Sequence, residues 1–153
     1  MMSALRPLLI LAAIVCSNFI IAQTTYYSKA SATNFNDVNS WGVNTDGTGT
    51  SPATISSVDY YVIQNLSVMT LNSPSAVGKL TLTSGSLTVA ANELVIAIAS
   101  QNNSTFLING GTLNLSGAGS ITVNGNFLMS SGTFNQSGEI GRASCRERVC
   151  NDV

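Results

Sequence analysis

Apolar and polar residues alternate in short stretches along this chain: Leu80-Thr81-Leu82, Leu87-Thr88-Val89, Leu113-Asn114-Leu115 and Ile121-Thr122-Val123. A period of two sends every second side chain to the same face, which predicts strands with one buried side. The stretches are interrupted at Ser84-Gly85, Asn92-Glu93, Gly110-Gly111, Gly117-Ala118-Gly119 and Asn124-Gly125. These breaks are rich in residues that tolerate positive φ and so read as turns. No helical periodicity of useful length follows residue 22. Strands every 8 to 12 residues or so, with such turns between them, fit a sandwich, a barrel or a solenoid.

Self-similarity selects the solenoid. One corner occurs three times, as Leu82-Thr83-Ser84-Gly85-Ser86-Leu87, Ile108-Asn109-Gly110-Gly111-Thr112-Leu113 and Met129-Ser130-Ser131-Gly132-Thr133-Phe134, at spacings of 26 and 21 residues. A unit of that length cannot bury its apolar side alone and gains stability by stacking on its neighbours. The expected fold is therefore all-β, a right-handed parallel β-helix (solenoid) with an atypical N-terminal cap. Leu87, Leu113 and Phe134 then line up inside, while asparagines and threonines form side-chain ladders outside. The segment Ser100-Gln101-Asn102-Asn103-Ser104 is the expected insertion that lengthens one interval. The last repeat, around Phe127 to Phe134, leaves an apolar edge, and such edges invite association.

The pattern divides the chain into residues 23–75 as cap and first coil and 76–138 as repeats. Tyr26, Tyr27, Phe35 and Trp41 cluster in the first of these, before repeats that lack Tyr and Trp. Terminal repeats are usually atypical caps, so these aromatics are expected to plug the open end of the stack. A sugar-binding platform built from Trp41, Tyr26 and Tyr27 is the functional alternative.

The two ends differ from this middle. Arg6 is followed by no charged residue until Lys29, and the apolar run from Leu8 to Val15 continues through Phe19-Ile20-Ile21 to Ala22. Residues 1–22 read as a secretory signal peptide cut after Ala22. A retained membrane anchor and a lipoprotein modified at Cys16 are the alternatives. At the other end, residues 139–149, Glu-Ile-Gly-Arg-Ala-Ser-Cys-Arg-Glu-Arg-Val, resemble the translation of a common short-read sequencing adapter. Residues 139–153 are thus expected to be adapter-derived, with the natural sequence breaking off near Gly138. A genuine basic tail, or half a zinc site at Cys145 and Cys150, is the alternative.

Charge and composition narrow the function. Residues 23–138 carry Lys29, Lys79, Asp37, Asp46, Asp59 and Glu93, a net charge of minus two, together with 14 asparagines. Neither a nucleic-acid surface nor a basic membrane patch follows from this, and membrane contact is expected only through the signal peptide before cleavage. The chain has no histidine, which removes the commonest general base and the Ser-His-Asp and Cys-His nucleophile systems. Asp37, Asp46 and Asp59 fall in the cap region and Glu93 in a turn, so no two carboxylates occupy repeating positions of the kind glycoside hydrolysis uses. Asn44-Thr45-Asp46-Gly47-Thr48-Gly49 resembles part of a calcium loop but has one charge and no closing glutamate, and it reads as a plain turn. No catalytic residue, cofactor or metal is expected. Asn-x-Ser/Thr sequons at Asn65, Asn102, Asn103, Asn114 and Asn135 arise freely in such a composition.

Taken in order, Ala22-Gln23, Tyr26-Tyr27-Ser28, the block Phe35-Asn36-Asp37-Val38-Asn39-Ser40-Trp41, Asp46-Gly47-Thr48-Gly49, Asp59-Tyr60-Tyr61-Val62-Ile63-Gln64-Asn65 and the repeats resemble the N-terminal region of large secreted Bacteroidota surface proteins. The resemblance covers about residues 1 to 138 and implies a β-helical, adhesin-like component, secreted or on the outer cell surface. It also implies a C-terminal sorting domain for type IX secretion, which this sequence lacks. Three functions follow as expectations: a non-catalytic structural or adhesive module contacting glycans or other surface proteins, the front of a carbohydrate-active β-helix enzyme whose active site lies beyond this sequence, and a carbohydrate-binding module.

Overall fold

The computed structural model describes residues 23–97 and 104–137. The expected signal peptide, the adapter-like segment, Cys16, Cys145, Cys150 and most of the expected insertion lie outside the described residues. Eleven strands and one 3-10 turn follow in order: β1 (Thr25–Ser28), the turn Val38–Ser40, β2 (Trp41–Gly42), β3 (Tyr60–Ile63), β4 (Val68–Thr70), β5 (Ser75–Val77), β6 (Lys79–Leu82), β7 (Ser86–Val89), β8 (Glu93–Ile96), β9 (Ser104–Ser116), β10 (Ser120–Val123) and β11 (Asn126–Ser137). The described chain is all-β.

The strands form two sheets, one ordered β2-β1-β3-β6-β9-β7-β4 with β11 added to β9, the other β10-β8-β5. Apart from the short antiparallel contact of β1 with β2, every strand pairing is parallel. Parallel neighbours cannot be joined by a tight hairpin. Here the chain passes through β3 and β4, crosses to β5, and returns to β6 beside β3, repeating this circuit with each pass.

Register follows the repeated corners. Leu82 lies opposite Ile108 and Ile108 opposite Met129, while Leu87 lies opposite Leu113 and Leu113 opposite Phe134. The rows extend backwards to Ile63 and Met69, so Tyr60–Thr70 belongs to the same stack. In the second sheet Val77, Ile96 and Val123 are aligned. From these to the aligned Leu80, Phe106 and Phe127 is three, ten and four positions respectively. The extra residues of the longer pass therefore fall between Ile96 and Phe106, the interval that contains residues 98–103.

Alternation places the core between the sheets. Ile63, Met69, Val77, Leu80, Leu82, Leu87, Val89, Leu94 and Ile96 are fully buried. Each buried side chain of this size contributes about 1.5–3 kcal/mol of transfer free energy. Backbone bonds also tie one corner to the next, with Ser86 N donating to Ser67 O (2.8 Å) and Thr112 N to Gly85 O (2.9 Å).

Two turns read from the sequence are strand instead. Gly110-Gly111 lies inside β9 at the corner between its first half, paired with β6 as far as Ile108, and its second half, paired with β7 from Thr112, and Gly110 takes a φ of 115°. Glu93 opens β8 opposite Ser120 rather than sitting in a turn. Parallel neighbours on either side extend strand into both positions, although Gly110 still makes the change of direction.

Candidate functional site

The aromatic candidates lie at the start of the stack. Phe35, Trp41 and Tyr61 are fully buried. Trp41 meets Phe35 edge-on at 5.3 Å and Tyr61 at 4.9 Å between ring centroids, and Tyr26 stacks on Tyr61 at 5.7 Å. The indole N–H of Trp41 donates to the Phe35 carbonyl at 2.9 Å. A sugar platform needs an open ring face, so Trp41 is a core residue and not a glycan contact. Tyr26 and Tyr27 are half-buried.

A neighbouring segment covers the edge of the first pass. Phe35 N donates to Thr70 O and Thr70 N to Thr33 O, at 3.0 and 2.9 Å. The Asn36 carboxamide accepts from Asn72 N (2.8 Å) and Ser73 N (3.0 Å) and donates to Ser73 O (3.1 Å) and Ser75 Oγ (2.6 Å). One side chain thus satisfies four polar groups that an unpaired edge would leave to water. At the adjacent corner the buried Ser28 hydroxyl donates to Gln64 O and accepts from Gln64 N, both at 2.8 Å, with Ser67 Oγ at 2.9 Å. Asn36, Ser28 and Ser67 were not singled out by the sequence, because nothing in a chain so rich in Asn and Ser distinguishes these three.

The four described carboxylates are dispersed among local hydrogen bonds. Asp37 caps the 3-10 turn by accepting from Asn39 N (2.9 Å), Asp59 accepts from Thr24 N (3.0 Å), and Glu93 accepts from Thr122 Oγ1 (2.9 Å). Asp46 accepts from both the backbone N–H (2.9 Å) and the hydroxyl (2.6 Å) of Thr48, which holds its carboxyl below the usual carboxylate range. Asn44 N donates to Thr48 O (3.0 Å) and Gly47 N to Asn44 O (2.8 Å), so 44–48 is a closed turn. Among the described residues no three of His, Cys, Asp and Glu come together as a metal site would require.

Lys29, Ser31, Thr33, Asn34, Asp37 and Asn39 line an open polar cleft of about 210 Å³. Small-molecule sites are usually larger, enclosed and mostly apolar. Two other surfaces stand out. Outside the stack Thr70, Thr88, Asn114 and Asn135 form one row, in which Asn135 Nδ2 donates to Asn114 Oδ1 (2.9 Å) and Asn114 Nδ2 approaches Thr88 Oγ1 (3.4 Å). Asn109 Oδ1 similarly accepts from the hydroxyls of Ser130 (3.0 Å) and Ser131 (3.1 Å). At the end of the stack, Phe127, Leu128, Met129 and Phe134 on β11 are exposed. Compared with models of protein families, with curated proteins and with solved structures, the chain matches none.

Proposed function

We propose that this chain is a non-catalytic structural or adhesive module of a secreted or outer-surface bacterial protein of the Bacteroidota type, built as a right-handed parallel β-helix behind an N-terminal cap. Support for the architecture comes from the parallel register of corners 26 and 21 positions apart and from the Asn36 and Phe35 segment over the first pass. Each pass adds one rung to an outer face of hydroxyl and carboxamide groups and one layer to the core.

The observation that carries the adhesive role is the outer row Thr70, Thr88, Asn114 and Asn135. Its side chains present donors and acceptors in a fixed line at the strand spacing of about 4.8 Å. Hydroxyl-rich glycans and uncharged protein surfaces are suited to such a face, and β-strand rigidity lowers the entropy lost on contact. With two cations and four carboxylates on the described residues, recognition is through hydrogen bonds rather than long-range charge.

Immobilised full-length chain, presented with a glycan panel and whole bacterial cells, tests this. Retention that persists at 1 M salt and falls when Thr88 and Asn114 are both changed to Lys is the expected result. Release of soluble sugars from a polysaccharide panel would contradict it and favour a carbohydrate-active enzyme.

A further inference from the structure

An asparagine followed by glycine can modify itself, because a residue without Cβ lets its backbone nitrogen reach the preceding carboxamide unobstructed. The chain has two such pairs, Asn109-Gly110 and Asn124-Gly125, and one aspartate in the same position, Asp46-Gly47. The fold puts them in three different settings. Ring closure needs the peptide after the asparagine or aspartate to turn until its nitrogen meets the side-chain carbon Cγ, so whatever fixes that peptide or the side chain opposes the reaction.

Asp46-Gly47 is held at both reacting ends. The Asp46 carboxylate accepts from Thr48 N (2.9 Å) and Thr48 Oγ1 (2.6 Å), and Gly47 N donates to Asn44 O (2.8 Å). Asn109-Gly110 lies within β9, where Ile108 is aligned with Leu82 on one side and Asn109 with Ser131 on the other. Parallel strands keep ψ near about +115°, which aims the next nitrogen away from the side chain. The Asn109 carboxamide is also tethered, its oxygen accepting from the Ser130 (3.0 Å) and Ser131 (3.1 Å) hydroxyls.

Asn124-Gly125 differs on each count. Asn124 is exposed and sits in the bend between β10 and β11. Strand pairing ends at Val123 and resumes at Asn126, so neither residue of the pair belongs to a ladder. Asn124 N donates to Ile96 O (3.0 Å), which anchors the peptide before Asn124. The peptide that must turn is the one after it.

We infer that Asn124 is a site of intramolecular modification, converting to aspartate and isoaspartate while the fold protects Asn109 and Asp46. The Gly125 nitrogen attacks Asn124 Cγ and gives up its proton; the new C–N bond closes a five-membered imide, the Cγ–Nδ2 bond breaks and ammonia leaves. Water then adds to one imide carbonyl. Opening at the side-chain carbonyl yields aspartate, and opening at the main-chain carbonyl yields isoaspartate, whose backbone carries one extra methylene. Val123 is aligned with Ile96 and Phe127 with Phe106, so that methylene enters a four-position connection fixed at both ends. The product also brings a negative charge next to β11, which has none of its own.

The full chain, kept folded at about pH 8 and 37 °C, tests this by mass spectrometry of its peptic peptides, with isoaspartate identified by enzymatic methylation. Conversion at Asn124 is expected to run at least about 10-fold faster than at Asn109, which must wait for strands paired on both sides to open. In concentrated urea the two rates should converge. Gly125 does not have a positive φ, so Gly125→Ala is conformationally allowed, and it should slow conversion at Asn124 by about an order of magnitude. Equal rates at Asn109 and Asn124 in the folded chain, an Asn124 that stays intact while the urea sample converts, or aspartate formed without isoaspartate would overturn the inference. None of these readouts involves glycans or cells, so they stand apart from the adhesive role.

Discussion

Leu87 and Leu113 lie opposite each other in adjacent parallel strands although 26 positions separate them in the chain. Phe134 continues the row on the far side of Leu113, 21 positions later. An internal member of the row is enclosed on both sides along the stack, and a terminal member on one.

That difference sets the cost of truncation. Leu113→Ala is expected to destabilise the fold by about 2–5 kcal/mol, the range for a buried leucine. Phe134→Ala, starting from a side chain 40% exposed, should cost about 1 kcal/mol or less, below the usual range for a buried aromatic. Urea unfolding of the two variants at a concentration where both are monomeric checks the order. Equal losses would mean that the row is not layered.

The corners yield a pair of opposite effects. Gly85 has φ of 83°, and a Cβ there would sit 2.3 Å from the Ser67 carbonyl oxygen of the preceding pass. Gly85→Ala should therefore destabilise by roughly 2 kcal/mol or more, since both conformation and space oppose it. Leu66 has φ of 55° in the tight turn closed by Ser67 N to Gln64 O (3.1 Å), and it is 76% exposed. Leu66→Gly should stabilise by about 0.5–1 kcal/mol, because it removes left-handed strain without opening a cavity. Thermal unfolding of the two variants should move in opposite directions.

These two corners also explain what the sequence made visible. The repeats at 82–87, 108–113 and 129–134 share a glycine corner and flanking apolar residues, so their alignment was legible from spacing. The earlier corner Gln64-Asn65-Leu66-Ser67 was not, because it makes the same change of direction with Asn65 and Leu66 in left-handed conformation and no glycine. Parallel β-pairing likewise hid the strand character of Gly110-Gly111 and Glu93, which depends on neighbours about 21 to 27 positions away. The aromatic cluster was legible as a group. Trp41 reads from the sequence as a plug with a platform as the alternative, and its depth and its bond to Phe35 make it part of the core.

Trp41 anchors the cap through two edge-on ring contacts and a buried hydrogen bond. Trp41→Ala should cost about 3–5 kcal/mol. It is the sole tryptophan, so its emission reports on the cap alone. In the unmodified chain, the fluorescence and far-ultraviolet transitions in urea are expected to coincide, since Tyr61 joins the cap to the stack.

Tyr61 couples stability to alkaline pH. Burial pushes its hydroxyl up to about 12, partly offset by the N–H of Ser56 that donates to its oxygen at 3.2 Å. The unfolded chain releases this proton near pH 10 while the folded chain retains it to about 12. Between those values the unfolded state binds fewer protons, so stability is fully present below pH 10 and falls as pH rises, by at most about 1.4 kcal/mol per unit from this group. Urea midpoints from pH 8 to 12 should show that decline. Tyr61→Phe should flatten it while lowering stability throughout, by leaving the Ser56 N–H without its partner.

Side-chain proximity in solution tests the stack most directly. With leucine methyls and phenylalanine rings labelled, nuclear Overhauser contacts are expected from Leu87 to Leu113 and from Leu113 to Phe134, with backbone contacts of the parallel type between their strands. Close Hα–Hα contacts of antiparallel pairs in those strands, or Leu113 remote from both neighbours, would contradict the account.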